Sequence, residues 1–423
     1  MKMKVLGLIL HLPLQRKRRI FIYEVDDLNE TAASMDCVRT SNHPRIPALL
    51  QLLFFTHVSM STTFSGILEI DPQRRGFIRT PSHGLNAGER DVHIPASLIQ
   101  RFGLRTGVLI EGNAESAAKG VPQASVIERV NSLPADEWKT VKEFSTYEVV
   151  SPNELIQLEG EKSDVAMRII DLFCPLGKGQ RALIVSPPKA GKTMLMQQIA
   201  HAISVNHPKI DLLVLLIDER PEEVTDMRRS ISGEVFASSS DSERGSHVRL
   251  AQLVLEYAKR KVETGKDVVV LLDSLTRLGR AFNIHQKSSG RTMSGGVDIR
   301  ALEIPKRIFG AARNCEHSGS LTIIATALVE TNSRMDELIF QEFKGTGNME
   351  LVLDRGMANE RIFPAINLPV SGTRREELLF GGNTAAHQAL RRSIAKLPPK
   401  EAMLAVQKLI KQYPTNAQLL AKF

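Results

Sequence analysis

Between residues 64 and 130 the chain reads as short β-rich runs separated by Pro, Gly, Asn and Asp: SGILEI, GFIRT, DVHIP, GVLIEGN and QASVIERV. Strand-length apolar runs bounded by turn formers predict β-strands. The stretch PASLIQRFGL has the spacing of a short helical turn inserted among them. Five such strands in so short a segment predict a small barrel of the oligonucleotide-binding (OB, cold-shock-like) type over residues 60–130. Beyond residue 160 the pattern changes. RALIV, LLVLLID, DVVVLLD and SLTIIATAL are continuous apolar runs, as expected of strands covered on both faces. TMLMQQIAHAI, RLAQLVLEYAKRKVET and ALEIPKRIFGAAR lie between them with helical spacing. Alternating β and α predicts an α/β domain over residues 161–423, a parallel sheet wrapped by helices. C-terminal helices follow at residues 385–397 and, after Pro398 and Pro399, in KEAMLAVQKLIKQ. Residues 131–160 read as a polar linker. Residues 1–59 show no assignable period, and one expectation is that native translation starts at Met60.

The first α/β strand runs into SPPKAGKT, which matches the phosphate-binding pattern G-x-x-x-x-G-K-[ST] except at its first position, where Ser186 stands for glycine. The departure falls outside the chemistry. Phosphate is held by N–H groups at the helix entrance, Ala190, Gly191, Lys192 and Thr193, with Met194 following in the same turn. Pro187 and Pro188 lack N–H groups and stiffen the rim. In this setting Lys192 meets the β- and γ-phosphates of ATP, Lys189 adds charge, and the Thr193 hydroxyl is a Mg²⁺ ligand. Asp273, after the run VVVLL, stands where a metal-linked carboxylate belongs. Glu219, just past another strand end, is positioned to polarise water. Acids at the carboxyl edge of a parallel sheet face the ligand crevice.

Composition narrows the picture modestly. Net charge is +8 over 423 residues, which permits an acidic partner. The excess is thin, however, with 8 basic and 7 acidic residues in the predicted barrel. Cys37, Cys174 and Cys315 match no metal or redox spacing and suit buried thiols in a reducing cytoplasm. ALLQLLFFTHV is far shorter than the roughly 20 residues that cross a bilayer, so no membrane segment is expected.

PPKAGKT, LLIDERPEEVTDM, LLDSLTRLGRAFN, SGGVD, FKGTGNMEL and SGTRREEL together resemble the Rho family of transcription termination factors, over about three quarters of the chain. The resemblance implies a RecA-like P-loop motor, a homohexamer, RNA as ligand and a transcription complex with RNA polymerase as target. It also implies a nucleotide-sensing Arg220, Phe363 packed on adenine, Arg374 as a finger into the neighbouring subunit's site, and Arg361 as a second interfacial arginine. RNA would be gripped by Arg291, Gly295 and Gly296 in one central loop and Arg334 in another. In the barrel the family usually carries G-[FY]-G-F-L-R. Here RRGFIRT leaves Phe77 and Arg79 but puts Arg75 in place of the first aromatic. Losing one or two stacking platforms weakens RNA binding by about 10- to 1,000-fold. The competing reading is a RecA-like rotary or protein-export transport ATPase with its own β-barrel. A non-catalytic RNA-binding regulator is disfavoured by the presence of Lys192, Asp273, Glu219 and Arg374.

Overall fold

The computed structural model describes Val5–Leu8, Ile20–Tyr23 and residues 62–116, 121–161, 164–285 and 292–423. Met60, Cys37 and Arg291 therefore lie outside the described residues. Residues 1–58 form a unit of their own, in which β1 (Val5–Leu8) pairs antiparallel with β2 (Ile20–Tyr23).

The second unit holds both the barrel and the α/β domain. In the barrel, β3 (Thr62–Ile70), β4 (Gly76–Arg79), β5 (His93–Ile94), β6 (Leu109–Ser116), β7 (Pro122–Val130) and β8 (Leu133–Pro134) form a sheet in the order β5-β4-β3-β6-β7-β8. A further pairing of His93 with Gln123 closes β5 onto β7. Leu68, Ile78, Ile94, Ile110 and Val130 fill the interior, as the alternation in their strands requires.

The expected linker is not one. Its first part, β8 and the helix Ala135–Trp138, completes the barrel, with Trp138 buried in the core and its indole N–H donating to the Gly103 carbonyl at 3.4 Å. Its later part belongs to the other domain. There β9 (Val149–Val150) joins the large sheet, and Ile156 and Leu158 are fully buried. Polar residues dominate this segment, but three or four well-spaced apolar side chains suffice to seat it.

The large sheet comprises β10 (Arg181–Ser186), β11 (Asp211–Glu219), β12 (Glu234–Ser239), β13 (Val268–Asp273), β14 (Arg313–Cys315), β15 (Ser320–Leu328), β16 (Met349–Val352) and β17 (Gly372–Thr373), besides β9. Its main path runs β12-β11-β13-β15-β10-β16-β17, parallel from β12 to β16. Along β10, Ala182 and Ile184 face the helices Val165–Phe173 and Lys192–Asn206, while Leu183 and Val185 face Arg244–Glu263 and Leu275–His285. Burial on both faces explains the unbroken apolar runs. Strands β12 and β16 carry mixed polarity and escaped the sequence pattern. The C-terminal helices observed are Thr384–Ile394, Pro399–Gln412 and the short Asn416–Leu420. Cys174 and Cys315 are free and buried.

A buried carboxyl ties this C-terminal layer down. Asp171 accepts from the N–H groups of Leu158 (3.0 Å) and Glu159 (2.7 Å), while Glu159 accepts from Asn416 N–H (2.8 Å). Burial pushes Asp171 up to about 7, against the lowering effect of the two N–H bonds. The folded chain thus keeps this proton between about pH 4 and 7, where the unfolded chain has lost it. Its contribution to stability is full at low pH and is lost as pH rises through that window. We expect the Asp171→Asn variant to gain stability relative to the parent chain from pH 4 to 7 and to run parallel above it. Denaturant titrations at several pH values measure this.

Candidate nucleotide and RNA sites

Strand β10 ends at Ser186, fully buried, whose hydroxyl donates to the Pro187 carbonyl at 2.9 Å. A strand terminus needs no glycine here, so the unusual rim costs the loop nothing. The turn that does need special backbone follows, with Lys189 at φ 63° and Gly191 at φ 92°. Gly191 N-caps the helix Lys192–Asn206 without any side-chain bond to its first turn. The first N–H groups of a helix have no intrahelical partner, so they remain available to an anion. A Cβ on Gly191 would also stand 3.4 Å from the Phe363 ring, which closes one side of the loop.

Beneath the loop, the Lys192 ammonium lies 2.6 Å from Asp273 Oδ1 and 3.3 Å from Glu219 Oε1. Both carboxylates are buried, at 1% and 2% exposure. The Thr326 hydroxyl on β15, between β10 and β13, donates to Asp273 Oδ1 at 2.7 Å and fixes its orientation. Burial disfavours the Lys192 ammonium, but the charges of Asp273 and Glu219 outweigh it and hold the lysine above its usual value. Glu219 is raised above the usual carboxylate range by burial and then by the charge of Asp273, against the pull of Lys192 and Arg277.

Lys192 and Glu219 line a cleft of about 800 Å³ together with Lys189, Ala190, Gly191, Thr193, Met194, Arg220 and Phe363, while Asp273 lies behind Lys192 and outside the lining. Phe363 is half exposed and Met194 more so, which leaves apolar surface for a base. Arg374 and Arg361 are exposed and do not line this cleft. Arg374 follows the edge strand β17 and donates its backbone N–H to Asn348.

Sequence reasoning missed Arg277. It sits one turn after Asp273 on the helix Leu275–His285, lines the cleft, and its guanidinium is 3.4 Å from Glu219 Oε2. The LLDSLTRLGRAFN run held it in view, but only the fold brings it to Glu219. The same helix reaches the central loops. Arg280 makes two bonds to Asp336, at 2.7 and 2.6 Å, and Asn283 donates to the Gly296 carbonyl at 3.2 Å. Gly295 and Gly296 both have φ 77°. A Cβ on Gly295 would stand 2.9 Å from the Arg334 carbonyl, so the two predicted RNA loops touch. Arg334 is exposed at the start of the helix Arg334–Lys344.

On the barrel, Phe77 is flanked by three planar groups. Its ring centre is 5.7 Å from that of His93, edge to face, 5.2 Å from the Arg79 guanidinium and 5.8 Å from that of Arg75. Arg75 is held by Asp71 at 2.7 Å, and Arg79 is tied to Glu69 and Asp91. Arg79 is thus mostly buried and charge-balanced, which suits holding the platform more than meeting phosphate.

A phosphate loop at the edge of a parallel sheet, two edge carboxylates and a β-barrel on one chain define a P-loop ATPase carrying a nucleic-acid-binding module. Residues 64–136 match the family model "Rho termination factor, RNA-binding domain", and residues 166–373 match "ATP synthase alpha/beta family, nucleotide-binding domain". The chain is 49% identical over 357 residues to "Transcription termination factor Rho" of Chromobacterium violaceum, covering 83% of this chain and 85% of that protein. It is 52% identical over 324 residues to the protein of the same name in Borreliella burgdorferi, covering 76% of this chain and 63% of that one. The chain belongs to the transcription termination factor Rho family. Among solved structures it is similar to "a prototypical ATPase from the type III secretion system of pathogenic bacteria", with a TM-score of 0.54 and 22% identity over 64% of this chain and 85% of that one. That likeness concerns the fold alone. No helix among the described residues is long and apolar enough to cross a membrane.

Removing Arg277 takes a positive charge from Glu219. We expect Arg277→Ala to lower kcat about 10- to 100-fold, part of what a positioned base contributes, and to move the acidic limb of the pH–rate profile upward. Phe77→Ala should weaken binding of a short RNA by about 1–3 kcal/mol without changing RNA-free hydrolysis. Steady-state kinetics across pH and fluorescence anisotropy measure these outcomes.

Proposed function

We infer that this chain binds nascent RNA and hydrolyses ATP to terminate transcription, acting in the cytoplasm as a homohexamer on the RNA polymerase complex. The observation that carries the reading is the Lys192–Asp273–Glu219 cluster under an open phosphate loop, in a chain whose barrel presents Phe77 to a base.

The residues divide the work. Loop amides from Ala190 to Thr193 hold the phosphates, with Lys189 and Lys192 supplying charge. Lys192 now pairs with two acids, so an arriving triphosphate takes over one of its partners' roles. Thr193 and Asp273 fit Mg²⁺, being a hydroxyl and a carboxylate beside the loop, the oxygen ligands this ion takes together with phosphate. When bound, the ion neutralises phosphate charge. Glu219, its carboxyl raised toward neutrality and steadied by Arg277, accepts the proton of the attacking water. Arg220 at the cleft rim senses the nucleotide, and Phe363 with Met194 receives the adenine. Arg374 and Arg361, exposed and outside the lining of their own cleft, serve the neighbouring subunit's, so that hydrolysis depends on assembly. Changes at Glu219 pass through Arg277 along its helix to Gly296 and Arg334, and with Arg291 these grip RNA.

A single assay tests the reading: ATP hydrolysis with poly(C), with poly(U) and without RNA. We expect stimulation by both, with little preference for cytidine because Arg75 replaces a stacking ring, and loss of hydrolysis in Lys192→Ala. A transport motor shows no stimulation. Strong cytidine preference would contradict the account of Arg75.

A further inference from the structure

The barrel rests along one helix, Arg244–Glu263. At the far end of that helix the docking is dense. A Cβ on Gly107 would come within 2.4 Å of the Glu256 carbonyl carbon, Asn131 donates to the Arg260 carbonyl at 2.9 Å, and Arg105 pairs with Glu263 at 3.1 Å. These contacts suffice to hold the barrel in place. Near the start of the helix a different contact occurs. Arg249 NH1 lies 2.7 Å from Glu69 Oε2, the same oxygen that accepts from Arg79 Nε, while the other Arg249 nitrogen donates to the Leu85 carbonyl. Arg79 in turn borders the Phe77 ring and bonds to Asp91.

One carboxylate oxygen is therefore shared between the RNA platform of the barrel and the motor. The first turns of this helix also carry His247, whose Nδ1 is 2.7 Å from the Ser238 hydroxyl on β12, next to the strand that ends in Glu219. Gly245 lies against His285, the last residue of the helix bearing Arg277, at 3.6 Å from where a Cβ would stand.

We propose that Glu69 and Arg249 are positioning residues that transmit occupancy of the barrel to the motor. The proposal rests on the RNA-binding reading above. A base stacking on Phe77 loads a ring that lies 5.2 Å from the Arg79 guanidinium, so its effect reaches Arg79 through the ring. Any shift of Arg79 redistributes the shared Glu69 oxygen toward Arg249 and moves the start of the helix whose His247 bonds to Ser238, beside the strand ending in Glu219, and whose Gly245 lies against the end of the helix bearing Arg277. Coupling of this kind is reciprocal, so nucleotide must change barrel affinity by the same factor.

The test uses the full chain with Arg249→Gln and Arg249→Lys. Glutamine is helix-compatible and leaves the distal docking contacts in place. A labelled oligocytidine of about ten nucleotides, the reach of one barrel, reports barrel affinity with and without a non-hydrolysable ATP analogue. ATPase titrations with poly(C) report the RNA concentration for half-maximal stimulation. In the parent chain the analogue should change oligocytidine affinity by about fivefold or more. In Arg249→Gln that change should vanish and the half-maximal RNA concentration should rise about fivefold, while nucleotide-free oligocytidine affinity and RNA-free hydrolysis stay within about twofold. Arg249→Lys, which keeps the charge, should restore part of the effect.

Unchanged coupling in Arg249→Gln would overturn the proposal, as would an equal loss of barrel affinity and stimulation, the signature of a merely structural brace. A parent chain with no RNA-stimulated hydrolysis removes the functional reading itself and the coupling with it.

Discussion

The Lys192 ammonium, buried between Asp273 and Glu219, is the interaction on which the motor is organised. Two carboxylates taken out of water are costly unless cations and hydrogen bonds meet them. Lys192 and Arg277 supply the cations and Thr326 a hydroxyl, each from a different strand or helix. The cluster is stable only if β10, β11, β13 and β15 end at the same edge in the observed order. Its chemistry follows from the same crowding. Burial, and then the charge of Asp273, raise Glu219 above the usual carboxylate range, while the two acids keep Lys192 charged.

The barrel and the motor share a core as well as a chain. Ile67 and Leu85 of the barrel segment pack into the cluster formed by Leu183, Val185 and the helices Arg244–Glu263 and Leu275–His285. That continuity makes the helix Arg244–Glu263 a floor for the barrel on one side and a cover for the sheet on the other. The polar contacts along it differ in kind. Those near Glu263 staple the two bodies together, while the one at Arg249 ends on Glu69, which also pairs with Arg79 beside the Phe77 ring.

The central strands β10, β11, β13 and β15 were legible as unbroken apolar runs and β3 to β7 as short β-rich runs between turn formers, while the mixed-polarity β12 and β16 and the short β8, β9, β14 and β17 were not. The site was legible where one short motif carries it, as in KAGKT, or where an acid ends an apolar run, as at Asp273 and Glu219. Residues 131–160 were misread because composition does not reveal that Trp138 enters the barrel core, Phe144 the core on one face of the large sheet, and Ile156 and Leu158 the core on the other. Arg277 and His93 were missed for a related reason. A lone arginine inside a helix, or a histidine on a two-residue strand, carries no local signature.

The sequence by itself determined the two-part architecture, the phosphate loop and the two edge acids, because period, turn residues and strand-end position are local properties. Only the tertiary structure decided which charges meet. It balanced Arg79 and Arg75 against Glu69, Asp91 and Asp71, set Arg277 on Glu219, brought Gly295 to Arg334, and kept Arg374 outside its own cleft. The physical reason is that ion pairs across 10 to 180 positions of sequence depend on sheet order and helix placement, which no run of neighbouring residues encodes.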